Sequence, residues 1–236
     1  MEEFIEISTK DNYIIYGTLN SYEKKKDKLI IFVHGLSGNQ HEHQFFNAVS
    51  FFCPKGYDTL RFDFYPNEDN ARQSGESSVS THTDDLNTVI EYFKSKYDEI
   101  CLVGHSLGCL VISNANLEHV SKIVYWDPTC GFKSLEEKDI EYDENLDKYI
   151  LHWGFESIVS KELVKEWQES YDVEKYSKKL TSNSSIVFAG NADKYDAWKD
   201  YVGECQFAIV EGASHRFIEE GTLNKLFEET LKLLEN

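Results

Sequence analysis

"CLVGHSLGCLV", residues 101–111, places one serine, Ser106, between two glycines at the end of an apolar run. The pentad Gly104-His105-Ser106-Leu107-Gly108 fits the pattern G-x-S-x-G. A glycine pair around a serine can be a plain turn. It is also what a sharp strand-to-helix bend requires, because small neighbours relieve the crowding where the backbone reverses. The flanks favour the bend. "EICLVG" (99–104) has the apolar run of a buried strand, and "LGCLVISNANL" (107–117) sets Leu107, Leu110 and Val111 on one side of a helix. Such an elbow exposes the Ser106 hydroxyl, and the helix amino terminus behind it favours negative charge developing there.

Outward from this stretch, strand and helix patterns alternate. "EFIEIS" (3–8) and "YIIYGTL" (13–19), separated by "TKDN", predict an opening antiparallel hairpin. "LIIFVHG", "YDTLRFDF", "EICLVG", "KIVYWD", "SSIVFAG" and "CQFAIVEG" are apolar throughout, as strands covered on both faces must be. Leu86, Val89, Ile90 and Phe93 form one helical stripe, and Leu223, Leu226, Phe227, Leu231 and Leu234 form another. This alternation implies an α/β domain with a mostly parallel central sheet flanked by helices. One interval, roughly 129–183 after the sixth strand, is too long for a simple crossover. It is rich in aromatics (Phe132, Tyr142, Tyr149, Trp153, Phe155, Trp167, Tyr171, Tyr176), so it reads as a cap over a pocket at the carboxyl edge of the sheet. The bland alternative is a surface insertion whose aromatics pack on the main body.

Composition narrows the class. The 236 residues suit one domain over 1–236, and no apolar run is long enough to span a bilayer. The start, "MEEFIEISTK", is acidic where a secretory leader would be basic and then apolar. Five cysteines without paired spacing read as free thiols in a reducing compartment, so the expected location is the cytoplasm. The formal charge of −18 argues against nucleic acid and anionic membranes as partners. Oligomeric state is not legible.

A serine hydroxyl needs a base in hydrogen-bond reach and a carboxylate to orient that base. After a G-x-S-x-G elbow the expected chain order is serine, acid, histidine. Of the downstream histidines, His119 lies beyond the helix after Ser106 and His152 falls in the insert. His215, in "VEGASHRF", follows the last apolar strand through a glycine-containing loop and is the expected base. For the acid, Asp193 closes "IVFAGNAD" and is preferred. Asp127 closes "KIVYWD" one strand earlier and is the alternative, with Asp196 a third candidate. The oxyanion hole needs two backbone N–H donors. Leu107, next to the nucleophile, supplies one, and Leu36, after Gly35 in "VHGLSGN" (33–39), the other. His34 is expected to order that loop. His41 and His43 lack a third partner at metal-binding spacing and read as loop histidines.

Taken in order, "VHGLSGN", "YDTLRFDF", "LVGHSLG", "AGNAD" and "EGASHRF" cover nearly the whole chain outside the insert. The set resembles the α/β-hydrolase superfamily, and most closely its small intracellular esterases of the serine-aminopeptidase-like group, which includes the bacterial cinnamoyl (feruloyl) esterases. The resemblance implies an α/β-hydrolase fold with a cap inserted after the sixth strand. It also implies a triad at the positions of Ser106, Asp193 and His215. The activity expected is hydrolysis of carboxylic esters, small or aromatic (cinnamoyl-like), through an acyl-enzyme and with no cofactor or metal. A thioesterase or peptidase could use the same triad, and a non-catalytic binding protein could use the same fold. Three departures stand out: Cys109 where many relatives have glycine, a long "YPNEDNARQSGES" loop (65–77), and only twenty-one residues between Asp193 and His215. The last keeps Asp127 in contention.

Overall fold

The computed structural model describes residues 1–22, 27–129, 139–152, 156–170, 172–190, 196 and 198–236. Eleven strands fall into two sheets among these residues. The first, eight-stranded sheet contains β1 (Glu2–Ser8), β2 (Ile14–Asn20), β3 (Lys28–Val33), β4 (Tyr57–Asp63), β5 (Glu99–His105), β6 (Lys122–Trp126), β10 (Ser184–Ala189) and β11 (Gln206–Val210). Their spatial order is β1-β2-β4-β3-β5-β6-β10-β11. The β1–β2 and β2–β4 pairs are antiparallel, and every other pair is parallel. The opening hairpin and the mostly parallel sheet are thus as expected.

The inner strands β3, β5, β6 and β10 are buried on both faces because they are apolar at consecutive positions. Strand β11, expected to be covered likewise, lies at the sheet edge and leaves Phe207 and Ile209 exposed. Side chains alternate between faces with a period of two. Leu29, Ile31 and Val33 of β3 therefore join Ile123 and Tyr125 of β6 in one core, while Ile30 and Phe32 join Val124 and Trp126 in the other. Helices α2 (Val79–Phe93) and α3 (Leu107–Asn114) cover the first face. The predicted stripe Leu86, Val89, Ile90 and Phe93 is fully buried there. Helices α1 (His43–Phe52) and α6 (Thr222–Glu235) cover the second. At its centre Trp126 stacks on Phe45 at 6.0 Å and donates its indole N–H to Thr230 at 2.8 Å. Each large apolar side chain so buried stabilises the fold by about 1.5–3 kcal/mol before entropy is charged.

Strand register sets the site. Val33 pairs with Gly104, His105 with Trp126, and Trp126 with Val187. The carboxyl ends of β3, β5, β6 and β10 therefore finish on one line, and the loops that follow them share one edge.

Between β6 and β10 the chain forms a second, three-stranded antiparallel sheet of β7 (Ile140–Asp143), β8 (Lys148–His152) and β9 (Glu156–Val159). Two helices follow, α4 (Lys161–Glu169) and α5 (Val173–Ser177). Ser160 caps α4 by accepting from the Leu163 N–H, and Asp172 caps α5. α4 buries Leu163, Val164 and Trp167, and the Tyr176 hydroxyl donates to the Cys109 carbonyl at 2.8 Å. Trp167 and Tyr176 are therefore part of the main core rather than a pocket roof. Tyr142 is exposed beside Tyr149, and Phe132, Trp153, Phe155 and Tyr171 lie outside the described residues.

The long 65–77 loop acts as the dock for this insert. Ser74 donates to the Ile158 carbonyl at 2.8 Å, and the Ser160 hydroxyl donates to the Ser77 carbonyl at 2.5 Å. No described helix is long and apolar enough to cross a membrane. Cys53, Cys101, Cys109 and Cys205 are free thiols.

Candidate active site

Ser106 stands between β5 and α3 with φ 57° and ψ −120°. A non-glycine residue resists this conformation, at a cost of order 1–3 kcal/mol, so the surroundings must hold it. They do so by close approach. A Cβ on Gly108 would lie 2.3 Å from the Val33 carbonyl oxygen, and one on Gly104 would lie 2.6 Å from Ile112. Gly108 is thus required by space, since rigid backbone would meet its Cβ, whereas at Gly104 the tightest neighbour is the movable end of the Ile112 side chain. The Ser106 N–H donates to the Trp126 carbonyl at 3.1 Å, tying the bend to the neighbouring strand.

His215 reaches this serine from the loop after β11. Its Nε2 lies 2.9 Å from Ser106 Oγ, and its Nδ1 faces Asp127 Oδ2 in a short contact. Asp127 is wholly buried at the end of β6. Its φ of 45° turns the side chain back over the sheet edge, a conformation aspartate tolerates better than most residues. The other carboxylate oxygen accepts from the Ala189 N–H at 3.1 Å, and the Asp127 N–H donates to the Val187 carbonyl at 2.8 Å.

Among the described residues the carboxylate on His215 is Asp127, the alternative from the sequence. Asp193 lies outside the described residues. Asp196 is exposed and pairs with Lys199 at 3.3 Å. The reason lies in strand order: β6 sits between β5 and β10, so its terminal residue is the carboxylate adjacent to the nucleophile's strand. His119 is exposed, and His152 faces Glu141 and Glu156 in the insert.

Two further groups hold His215. His105 Nε2–H donates to the His215 carbonyl at 2.8 Å, its ring 4.7 Å from the His215 ring. Because a carbonyl only accepts, this contact fixes the proton on His105 Nε2. The Ser214 N–H donates to the Glu219 carboxylate at 2.9 Å. Sequence reading assigned His105 no role. Its signal was the strand alternation, which turns position 105 to the α6 face, away from the serine's own helix.

The two backbone amides expected as oxyanion donors belong to Leu107 and Leu36. Leu107 opens α3, so its N–H is among the first-turn amides left without a helical acceptor. Leu36 follows Gly35, which packs so closely that a Cβ there would sit 2.9 Å from Ser106 Cβ. The loop is ordered by His34, as expected: Nδ1–H donates to the Gly35 carbonyl at 2.8 Å, and Nε2 accepts from the Phe64 N–H at 3.1 Å. Burial holds this imidazole neutral by lowering its pKa. Glu42 lies beneath the same loop, where a Cβ on Gly38 would meet Glu42 Oε2 at 2.5 Å. That oxygen is buried without a hydrogen-bond partner, and burial raises the carboxyl to about 7 despite the nearby Arg216 charge. Among the described residues no cluster of three or more His, Cys, Asp or Glu is arranged to hold a metal.

Residues 23–135 match a family described as "Putative serine esterase (DUF676)". Among solved structures the chain is similar to Est1E from Butyrivibrio proteoclasticus, with TM-score 0.76, 19% identity and 99% of each chain covered. Est1E with ferulic acid bound matches at TM-score 0.76 and 17% identity, over 98% of this chain and 100% of that one. Alpha/beta hydrolase domain-containing protein 10 from mouse matches at TM-score 0.70 and 15% identity, over 99% and 98%. Among curated proteins none matches the chain by sequence. The chain has the α/β-hydrolase fold, as its sequence resemblance implied.

Proposed function

We propose that this α/β-hydrolase chain is a serine hydrolase of carboxylic esters, with Ser106 as nucleophile, His215 as base and Asp127 as the orienting acid. The observation that carries the reading is the unbroken relay from Ser106 Oγ through both His215 nitrogens to a fully buried carboxylate. The family match over 23–135 supports it independently.

In the proposed cycle His215 Nε2 takes the Ser106 proton as Oγ attacks the ester carbonyl. Asp127 holds the Nδ1–H tautomer and stabilises the imidazolium that forms. The Leu36 and Leu107 amides bind the oxygen as it becomes negative, in a site where fixed donors need no reorganisation. The intermediate collapses with His215 returning its proton to the departing alcohol, leaving an acyl-Ser106. Water then repeats the sequence and releases the acid. Every step uses groups of the chain itself.

The acyl class proposed is small or aromatic. The ferulic acid bound to Est1E supports an aromatic acyl group. The free thiols fit a cytoplasmic setting. A fluorophosphonate probe tests the nucleophile, and p-nitrophenyl acetate compared with an aryl ester such as methyl ferulate tests the acyl class. Folded protein that hydrolyses neither and leaves Ser106 unlabelled refutes the proposal.

A further inference from the structure

Two side chains outside the relay grip the turn that carries the Leu36 amide. The turn spans Gly35 to Gly38 and is closed by the Gly38 N–H donating to the Gly35 carbonyl at 3.1 Å. That same carbonyl accepts from His34 Nδ1–H at 2.8 Å and from the Tyr65 hydroxyl at 3.3 Å. Burial pushes the Tyr65 phenol well above its usual range, so it keeps the proton it donates. In a planar trans peptide the carbonyl and the following N–H point to opposite sides. Fixing the Gly35 oxygen therefore aims the Leu36 N–H, and the close approach of Gly35 to Ser106 puts that amide at the nucleophile.

The next residue is held from the insert. Ser37 has φ 56°, the left-handed region that side chains resist. Its hydroxyl bonds the Ser157 hydroxyl of β9 at 2.7 Å, across 120 residues of sequence. β9 is itself fixed, because the Ile158 carbonyl accepts from Ser74 and Ser160 donates to the Ser77 carbonyl. A chain of hydroxyl contacts thus runs from the 73–78 loop, along β9, to the oxyanion turn.

We propose that Tyr65 and Ser157 are positioning residues for the Leu36 oxyanion donor, Tyr65 through the Gly35 carbonyl and Ser157 through Ser37. The insert then takes part in stabilising the transition state through Ser157. The inference rests on the serine-esterase reading above. Negative charge reaches the oxyanion only in the transition state, so a loosened donor lowers kcat and leaves KM alone. A lost donor costs about 10²–10³ in kcat, and a misaimed one a fraction of that, about tenfold.

The test uses the whole chain with p-nitrophenyl acetate. Y65F and S157A are each expected to lower kcat about tenfold at unchanged KM, with S37A matching S157A because it removes the same bond. Affinity for a trifluoromethyl ketone, whose adduct carries the oxyanion, should fall in step. S157T keeps the hydroxyl and should restore kcat. S80A cuts a different contact of the insert, the Ser80 hydroxyl to the Glu166 carboxylate of α4, away from β9 and the turn, and should leave kcat within about twofold. Unchanged kcat in Y65F, or in both S157A and S37A, overturns the inference, as does a loss in S80A equal to that in S157A. A wild-type protein that hydrolyses no ester and takes no fluorophosphonate overturns the underlying reading instead.

Discussion

Replacing Asp127 by asparagine tests the carboxylate that meets His215, and the structure says how the amide will sit. Asp127 Oδ1 accepts the Ala189 N–H at 3.1 Å, so in D127N the amide oxygen must take that place. The amide NH2 then faces His215 Nδ1, which can only accept. The imidazole proton moves to Nε2, the atom that must take the Ser106 proton, and the base is disabled while the geometry survives. Loss of an orienting carboxylate of this kind costs about 10⁴ in kcat, or about 5.5 kcal/mol of transition-state stabilisation. Asparagine matches aspartate in size, so thermal unfolding should shift little beyond the loss of one charged hydrogen bond, worth about 1.5–3 kcal/mol. The assay is steady-state hydrolysis of p-nitrophenyl acetate, with unfolding followed by circular dichroism. D193N, measured in parallel, should stay within about threefold of wild type. A folded D127N protein with near-normal kcat, beside a D193N protein that has lost it, would refute the assignment and the tautomer argument together.

G108A should unfold earlier and turn over poorly, because its Cβ would lie 2.3 Å from one backbone oxygen and 2.7 Å from another. A cost of about 3 kcal/mol implies a melting point roughly 6–12 °C lower, and an unchanged melt contradicts the steric reading. H105F keeps a ring against His215 and removes the N–H that holds its carbonyl. Its kcat should fall about 2–10-fold, read with the same ester. Glu42 titrates near 7 in the fold against 4.5 in the open chain. The folded state therefore binds more protons between those values, so the stability Glu42 contributes is full below about pH 4.5 and is lost as pH rises through 7. Urea titrations should show E42Q gaining on wild type over that window, by at most about 3 kcal/mol, and parallel curves would disprove the linkage.

Ser106 and His215 were legible because their signals are local: a glycine-flanked serine after an apolar run, and a histidine just past the last one. The two-sided burial of the inner strands was legible for the same reason, but the equally apolar run of β11 leaves Phe207 and Ile209 exposed because it falls at the sheet edge, which composition does not show. Choosing between Asp127 and Asp193 was not. Both follow apolar runs in the sequence, and Asp127 meets His215 because β6 lies beside β5 and because of a φ of 45° at Asp127. Neither property is written in the residues around either aspartate. The insert was visible as an interval, but its aromatic content misled in part. Trp167 and Tyr176 face the core of the main body, a tertiary outcome that composition does not encode. The 65–77 loop was noticed only for its length, whereas Ser74 and Ser77 tie down the insert at Ile158 and Ser160.

Ser37, Ser106 and Asp127 all hold positive φ without being glycine. Each is kept there by neighbours rather than by its own preference. A screen that rewarded only heat tolerance would find its easiest gains at these positions, by admitting glycine or asparagine, and would discard the hydroxyl or carboxylate with the strain. Selection for turnover pulls the opposite way. Resistance to heat and the proposed ester hydrolysis are thus in competition at three backbone positions, and a library varied there should map the trade directly.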